Sequence, residues 1–99
     1  MAVKILIKRH FKESDYIQIS KMLNASRYRA MEQEGYISSE TMWDLDDPKK
    51  VVVASMWQTI DNWNAWKNSE QRKSVESQYA DRLDGPAVFE HYFIGMYPH

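Results

Sequence analysis

The stretch VVVASMWQTIDNWNAW, residues 51–66, decides the fold. Its first seven residues set Val51, Val53 and Trp57 on one side of an extended chain and Val52, Ala54 and Met56 on the other. Apolar side chains on both sides describe a strand buried on both faces. Thr59 or Asp61 then offers an oxygen to cap a helix. Trp63 and Trp66, three positions apart, share one face of that helix. Trp57, Trp63 and Trp66 are three of the chain's four tryptophans, and aromatic side chains bury about 150–250 Å² each. Helix-to-sheet packing is the simplest reading of the cluster. A second reading makes one indole, Trp66 foremost, the flat wall of a cavity for a planar ligand.

The same patterning extends outward. Before residue 51, DLDDPKK (44–50) is a polar turn carrying Asp-Pro, and YISSETMW (36–43) alternates as a strand, with Tyr36, Ser38, Glu40 and Met42 opposing Ile37, Ser39, Thr41 and Trp43. Earlier still, Tyr16, Ile19, Leu23, Ser26 and Ala30 recur at spacings of three and four, a helical stripe capped by Ser14 or Asp15 and running to about Glu34. Gly35 ends it. VKILIKRHF (3–11) is the first strand, with Val3, Ile5, Ile7 and Phe11 on one side and Lys4, Leu6, Lys8 and His10 on the other. After residue 66, NSEQRKSVESQYADRL (68–83) continues helical past a break at Asn68 or Ser69, DGP (84–86) stops it, and AVFEHYFIGMY (87–97) is the last strand. The order β-α-β-β-α-β predicts an α+β, ferredoxin-like split βαβ with a four-stranded antiparallel sheet.

Ninety-nine residues, 43% hydrophobic and 27% charged, are read as one domain over 1–99. The net charge of −1 comes from interspersed signs, which argues against a nucleic-acid partner. MAVKILIKRH, residues 1–10, is too short and too charged for a membrane span or signal segment. The absence of cysteine excludes disulfides and thiolate sites and suits a cytoplasmic protein. No glycine-rich phosphate loop, Ser/His/Asp motif or dinucleotide fingerprint is present, so no cofactor is expected. Apolar residues on both sheet faces, including Val88, Tyr92, Ile94 and Met96 opposite Phe89 and Phe93, exceed what two helices can cover. A homodimer paired sheet to sheet is the expected remedy.

GYISSETMW, the Asp-Asp-Pro turn, VVVASMWQTIDNWNAWKNSEQRK and GPAVFEHYFIG together resemble the antibiotic biosynthesis monooxygenase (ABM) family. The strand-three tryptophan followed by W-x-x-W-x-x-S-x-x-R is the most specific part of the likeness. The resemblance covers nearly the whole chain. It implies a dimeric α+β barrel with a pocket in each subunit between sheet and helices. The activities it implies are cofactor-independent oxygenation of polyketides or quinols and, in some relatives, heme degradation.

Two departures stand out. The polyketide oxygenases are similar in a tryptophan matching Trp57, but their asparagine and tyrosine positions hold Val53 and Trp63 here. Against the heme degraders, Trp66 matches their tryptophan, Arg9 or His10 stands at their asparagine, and Glu76 stands at their histidine. Loss of that histidine removes imidazole ligation of iron.

The candidate residues follow. Trp57, Trp63 and Trp66 are the ligand-binding set; Arg9, His10 and His91 are the catalytic candidates, with no metal site. The neighbouring first and last strands predict that His10 and His91 approach each other. A histidine in a pocket would serve as acid or base near neutral pH. Arg9 is in line with Ile5 and Ile7. Facing a cavity, it would hold an anionic or phenolate group; facing the dimer interface, the favoured alternative, it would need a carboxylate such as Glu40 or Glu90. Glu70, Arg72, Lys73 and Glu76 read as a solvated helix face. The leading functional reading is a cofactor-independent oxygenase of a small aromatic, quinol-like or phenolic compound. The alternatives are a non-catalytic dimeric module holding a small hydrophobic ligand, and a heme-binding relative.

Overall fold

The computed structural model describes residues 1–95. Its elements are β1 (Val3–His10), α1 (Tyr16–Ala30), β2 (Tyr36–Trp43), β3 (Lys50–Trp57), α2 (Ile60–Lys67), α3 (Glu70–Ser77), a 3₁₀ turn (Ala80–Arg82) and β4 (Val88–Phe93). The strands form one sheet in the order β2-β3-β1-β4, with every neighbouring pair antiparallel. This is the ferredoxin-like α+β arrangement that the element order predicts. Met96 and Tyr97, assigned by patterning to the last strand, lie outside the described residues.

Helix starts are fixed by side-chain oxygens. Asp15 accepts from the Gln18 N–H, Thr59 from Asn62 and Ser69 from Arg72, at 3.2, 3.1 and 3.1 Å. Each bond satisfies a donor that the first turn leaves unpaired. Ser69 is the reason for the predicted break. Its hydroxyl also donates to the Trp66 carbonyl at 2.7 Å, so it ends α2 and begins α3. The first helix stops at Ala30 instead of near Glu34, and the 31–35 turn closes on Gly35 at φ +83°. A side chain there would be strained and would collide with the Asn62 side chain.

All three helices pack on one face of the sheet. Val3, Ile5, Ile7, Trp57, Trp63, Trp66 and Ala30 form one cluster. Phe11, Ile19, Met22, Leu23 and Val51 form a second. The α1 stripe differs in two places from its pattern: Met22 is buried, whereas Tyr16 is exposed and lays its ring on Trp43, centroids 4.6 Å apart. In β2 a bulge between Tyr36 and Ser38 shifts the register. It turns Tyr36 onto the same face as Ser39, Thr41 and Trp43, against strict alternation.

The opposite sheet face carries Lys4, Leu6, Lys8 and His10 from β1, Val52, Ala54 and Met56 from β3, and Val88, Glu90 and Tyr92 from β4. No helix covers it. Its apolar residues are mixed with charges, and Lys8 pairs with Glu90 at 3.0 Å. Among the described residues no helix is long and apolar enough to cross a membrane.

Candidate functional site

Between the helices and the sheet lies a cavity of about 40 Å³. Its floor is β1 and β3, through Ile7, Arg9, Val53 and Ser55; its walls include Trp57, Trp63, Trp66 and Tyr36. The indoles are fixed by one another and by the sheet. Trp57 is fully buried, its ring is 6.0 Å from Trp63 and edge-on to Tyr36 at 5.5 Å, and its N–H donates to the Ser55 hydroxyl at 3.1 Å. The Tyr36 hydroxyl bonds the Ser39 hydroxyl at 2.7 Å. A wider cleft of about 370 Å³ between α1 and β2 adjoins the cavity, sharing Leu23, Arg27, Ser39 and Thr41 with it.

Three of the candidate residues, Trp57, Trp63 and Trp66, line this space together, and Arg9 joins them. Arg9 points toward the helices and not toward a dimer interface. Its carboxylate partner is Glu76 on α3, with guanidinium to Oε1 at 2.6 Å, and neither Glu40 nor Glu90. Alternation from Ile5 and Ile7 gives the correct side of the strand; the choice of interface over cavity was reversed because the helices take that side.

The two histidines do not meet. β4 begins opposite Lys8, and Asp84 occupies the place beside His10, donating its N–H to the His10 carbonyl at 2.7 Å. His10 lies on the open sheet face with Asp47 at 2.8 Å and Asp84 at 3.4 Å. His91 is exposed and opposite Ile5, five residues along β1 and so roughly 16 Å away. Neither lines the cavity.

The sequence reading missed Arg72. A run of charges resembles a wet helix face, yet Arg72 is 8% exposed and lines the cavity. Its guanidinium stands over Trp63 at 5.7 Å and over Phe89 at 5.5 Å, and is 3.6 Å from Glu76. The motif W-x-x-W-x-x-S-x-x-R contained the signal. Ser69 restarts the helix, and the new helix returns Arg72 to the Trp63 indole at the start of the motif. Burial pushes the Arg72 guanidinium below its ordinary value; Glu76 opposes this, and the like charge of Arg9 adds to it. An arginine remains charged regardless. Two buried cations therefore share one carboxylate. The Nε of Arg9 and the Nε1 of Trp63 are buried with no hydrogen-bond partner. Among the described residues no group of His, Cys, Asp and Glu is arranged to hold a metal ion.

A ferredoxin-like sheet with an aromatic, cationic cavity under its helices defines the class. The sequence pattern of the antibiotic biosynthesis monooxygenase family matches residues 22–77, more than half of the 99-residue chain. The chain belongs to that family. Solved structures share its fold. A Nitrosomonas europaea protein assigned as an antibiotic biosynthesis monooxygenase superposes with a TM-score of 0.85 at 16% identity, covering 98% of this chain and 92% of that one. A conserved protein from Methanosarcina mazei gives 0.83 at 15% identity, covering 93% and 91%. SnoaB, a cofactor-independent oxygenase from Streptomyces nogalater, gives 0.84 at 7% identity, covering 97% and 95%. At these identities the likeness is one of fold. No curated protein matches the sequence.

Proposed function

We propose that the protein is a cofactor-independent oxygenase of a small aromatic compound of quinol or phenol type, acting in the cytoplasm as a homodimer paired sheet to sheet. The observation that supports this most is the cavity itself, walled by Trp57, Trp63 and Trp66 with Arg9 at its floor. The name of SnoaB, a cofactor-independent oxygenase of the same fold, supports the reaction class. In this reading the indoles hold a planar ring by stacking, and the ring enters through the cleft between α1 and β2. The arginines that line the cavity, Arg9, Arg27 and Arg72, favour an ionised ring oxygen. The electron-rich anion then reacts with dioxygen in a pocket from which water is excluded. An enclosed space of about 40 Å³ admits one edge of a ring, so α1 must move away from β2 for the remainder to enter.

Oxygen uptake over a panel of quinols and naphthols tests the reading. Turnover is expected with at least one, falling ten-fold or more in Trp66→Ala. Tight binding without uptake by any of them favours a non-catalytic module instead. One observation supports that second reading: among the described residues no His, Asp or Glu lines the cavity to take a proton. For the dimer, support comes from Leu6, Val52 and Met56, half-buried on a sheet face that no helix covers, beside Met42 and Tyr92, which are exposed. Sedimentation at micromolar concentration should give twice the 11.8 kDa of one chain, and Met56→Glu should halve it.

A further inference from the structure

The buried charges of the cavity do not balance. Arg9 and Arg72 supply two positive charges, and the carboxylate within salt-bridge reach of both is Glu76. The surplus is one positive charge in a buried, aromatic setting, where an uncompensated ion is costly. Two donors are also unused. Arg9 is 4% exposed and Trp63 1% exposed, yet the Arg9 Nε–H and the Trp63 indole N–H bond to nothing among the described residues. Buried donors are nearly always satisfied, so two orphaned donors on residues that both line one cavity call for acceptors there. The cavity itself contributes hydroxyls as side-chain acceptors: those of Tyr36, Ser39 and Ser55 are bonded to Ser39, Tyr36 and Trp57, and those of Ser26 and Thr41 carry no charge to offset the surplus. A third cation, Arg27, stands where the cavity meets the outer cleft, on the path a ligand takes.

We infer that the ligand is an aromatic carboxylate, with the carboxylate in the inner cavity on the Arg9 Nε–H and the Trp63 N–H and the ring directed toward the outer cleft. About 40 Å³ of inner space fits this head group of three heavy atoms, since one water needs roughly 10–15 Å³ in the same measure. A bound carboxylate supplies the missing negative charge and an acceptor for each donor. A neutral phenol supplies an acceptor and no charge. The inference rests on the proposed role of the cavity as the ligand site. It does not depend on turnover.

The test compares 2-naphthoate with 2-naphthamide, which share shape and ring, by titration calorimetry on the full chain at fixed ionic strength. Naphthoate should bind at least ten-fold more tightly. Glu76→Gln removes the competing carboxylate and should tighten naphthoate by three-fold or more while leaving naphthamide unchanged. Arg9→Gln, checked for folding by circular dichroism, should abolish the preference; if it does not fold, the Glu76→Gln result decides. Equal affinities, binding of neither probe, or a Glu76→Gln protein that binds naphthoate more weakly would each overturn the inference, and the orphaned donors would then serve internal water only. Oxygen uptake separates the two claims. Naphthoate preference without uptake by any substrate leaves the anion site standing and removes the oxygenase. Uptake of a neutral quinol with no naphthoate preference does the reverse.

Discussion

The two faces of the sheet are built from alternate residues of the same strands, and each carries an ion pair. On the helix side Arg9 meets Glu76 at 2.6 Å with the arginine side chain 3% exposed. On the open side its chain neighbour Lys8 meets Glu90 at 3.0 Å, with both side chains about one third exposed, at 36% and 34%. The distances hardly differ, and the consequences differ widely. Water solvates Lys8 and Glu90 whether or not they touch, so their pairing contributes little. Arg9 has given up its hydration, and its state is set by what the cavity offers. Burial and not proximity gives a charge its influence, and that separates the two faces.

Substitutions ranked by size probe this contrast. Trp57→Ala, at a fully buried position on the helix side, should cost about 3–5 kcal/mol in urea unfolding. A cost under 1 kcal/mol would mean that the cavity wall is not the core it resembles. Glu76→Ala strands the Arg9 guanidinium and should cost about 3 kcal/mol, the lower end for a broken buried pair; Lys8→Ala should cost at most about 1 kcal/mol. Equal losses would erase the distinction between the faces. Gly35→Ala places a side chain at φ +83° against Asn62, a backbone cost of about 1–3 kcal/mol before the collision is counted.

The smallest effect is the pH dependence of the 44–50 turn. Asp44 accepts from the Asp46 and Asp47 N–H groups at 2.8 and 2.9 Å, and these bonds hold its carboxyl below the ordinary 3.8. Asp47 is lowered first by the Lys49 N–H and then by His10. A lowered carboxyl contributes stability that is present above the unfolded value and lost as pH falls through the folded one. Stability should therefore decline as pH drops below about 3.8, and more gently in Asp44→Ala, as urea midpoints between pH 5 and 3 would record.

Much of this was readable from residue order. The alternation Val3, Ile5, Ile7 placed Arg9 on a buried face, one of the two cap candidates, Thr59, starts α2, and the break expected at Asn68 or Ser69 falls where Ser69 caps α3. What escaped were features that local pattern does not encode. The β2 bulge rotates Tyr36 into the cavity against strict alternation. Arg72 sits in a charged run whose inward face is created only by the helix restart at Ser69. The separation of His10 from His91 depends on the register in which β4 pairs with β1, His91 opposite Ile5, which the residue order does not fix. In each case a tertiary register outweighed a local signal.

The Trp63 indole offers the most direct test of the charged aromatic cavity. Its N–H signal in a ¹H–¹⁵N spectrum should move downfield when 2-naphthoate is added, and less when 2-naphthamide is added. A Trp63 signal that does not move with 2-naphthoate would contradict a ligand site beneath the helices.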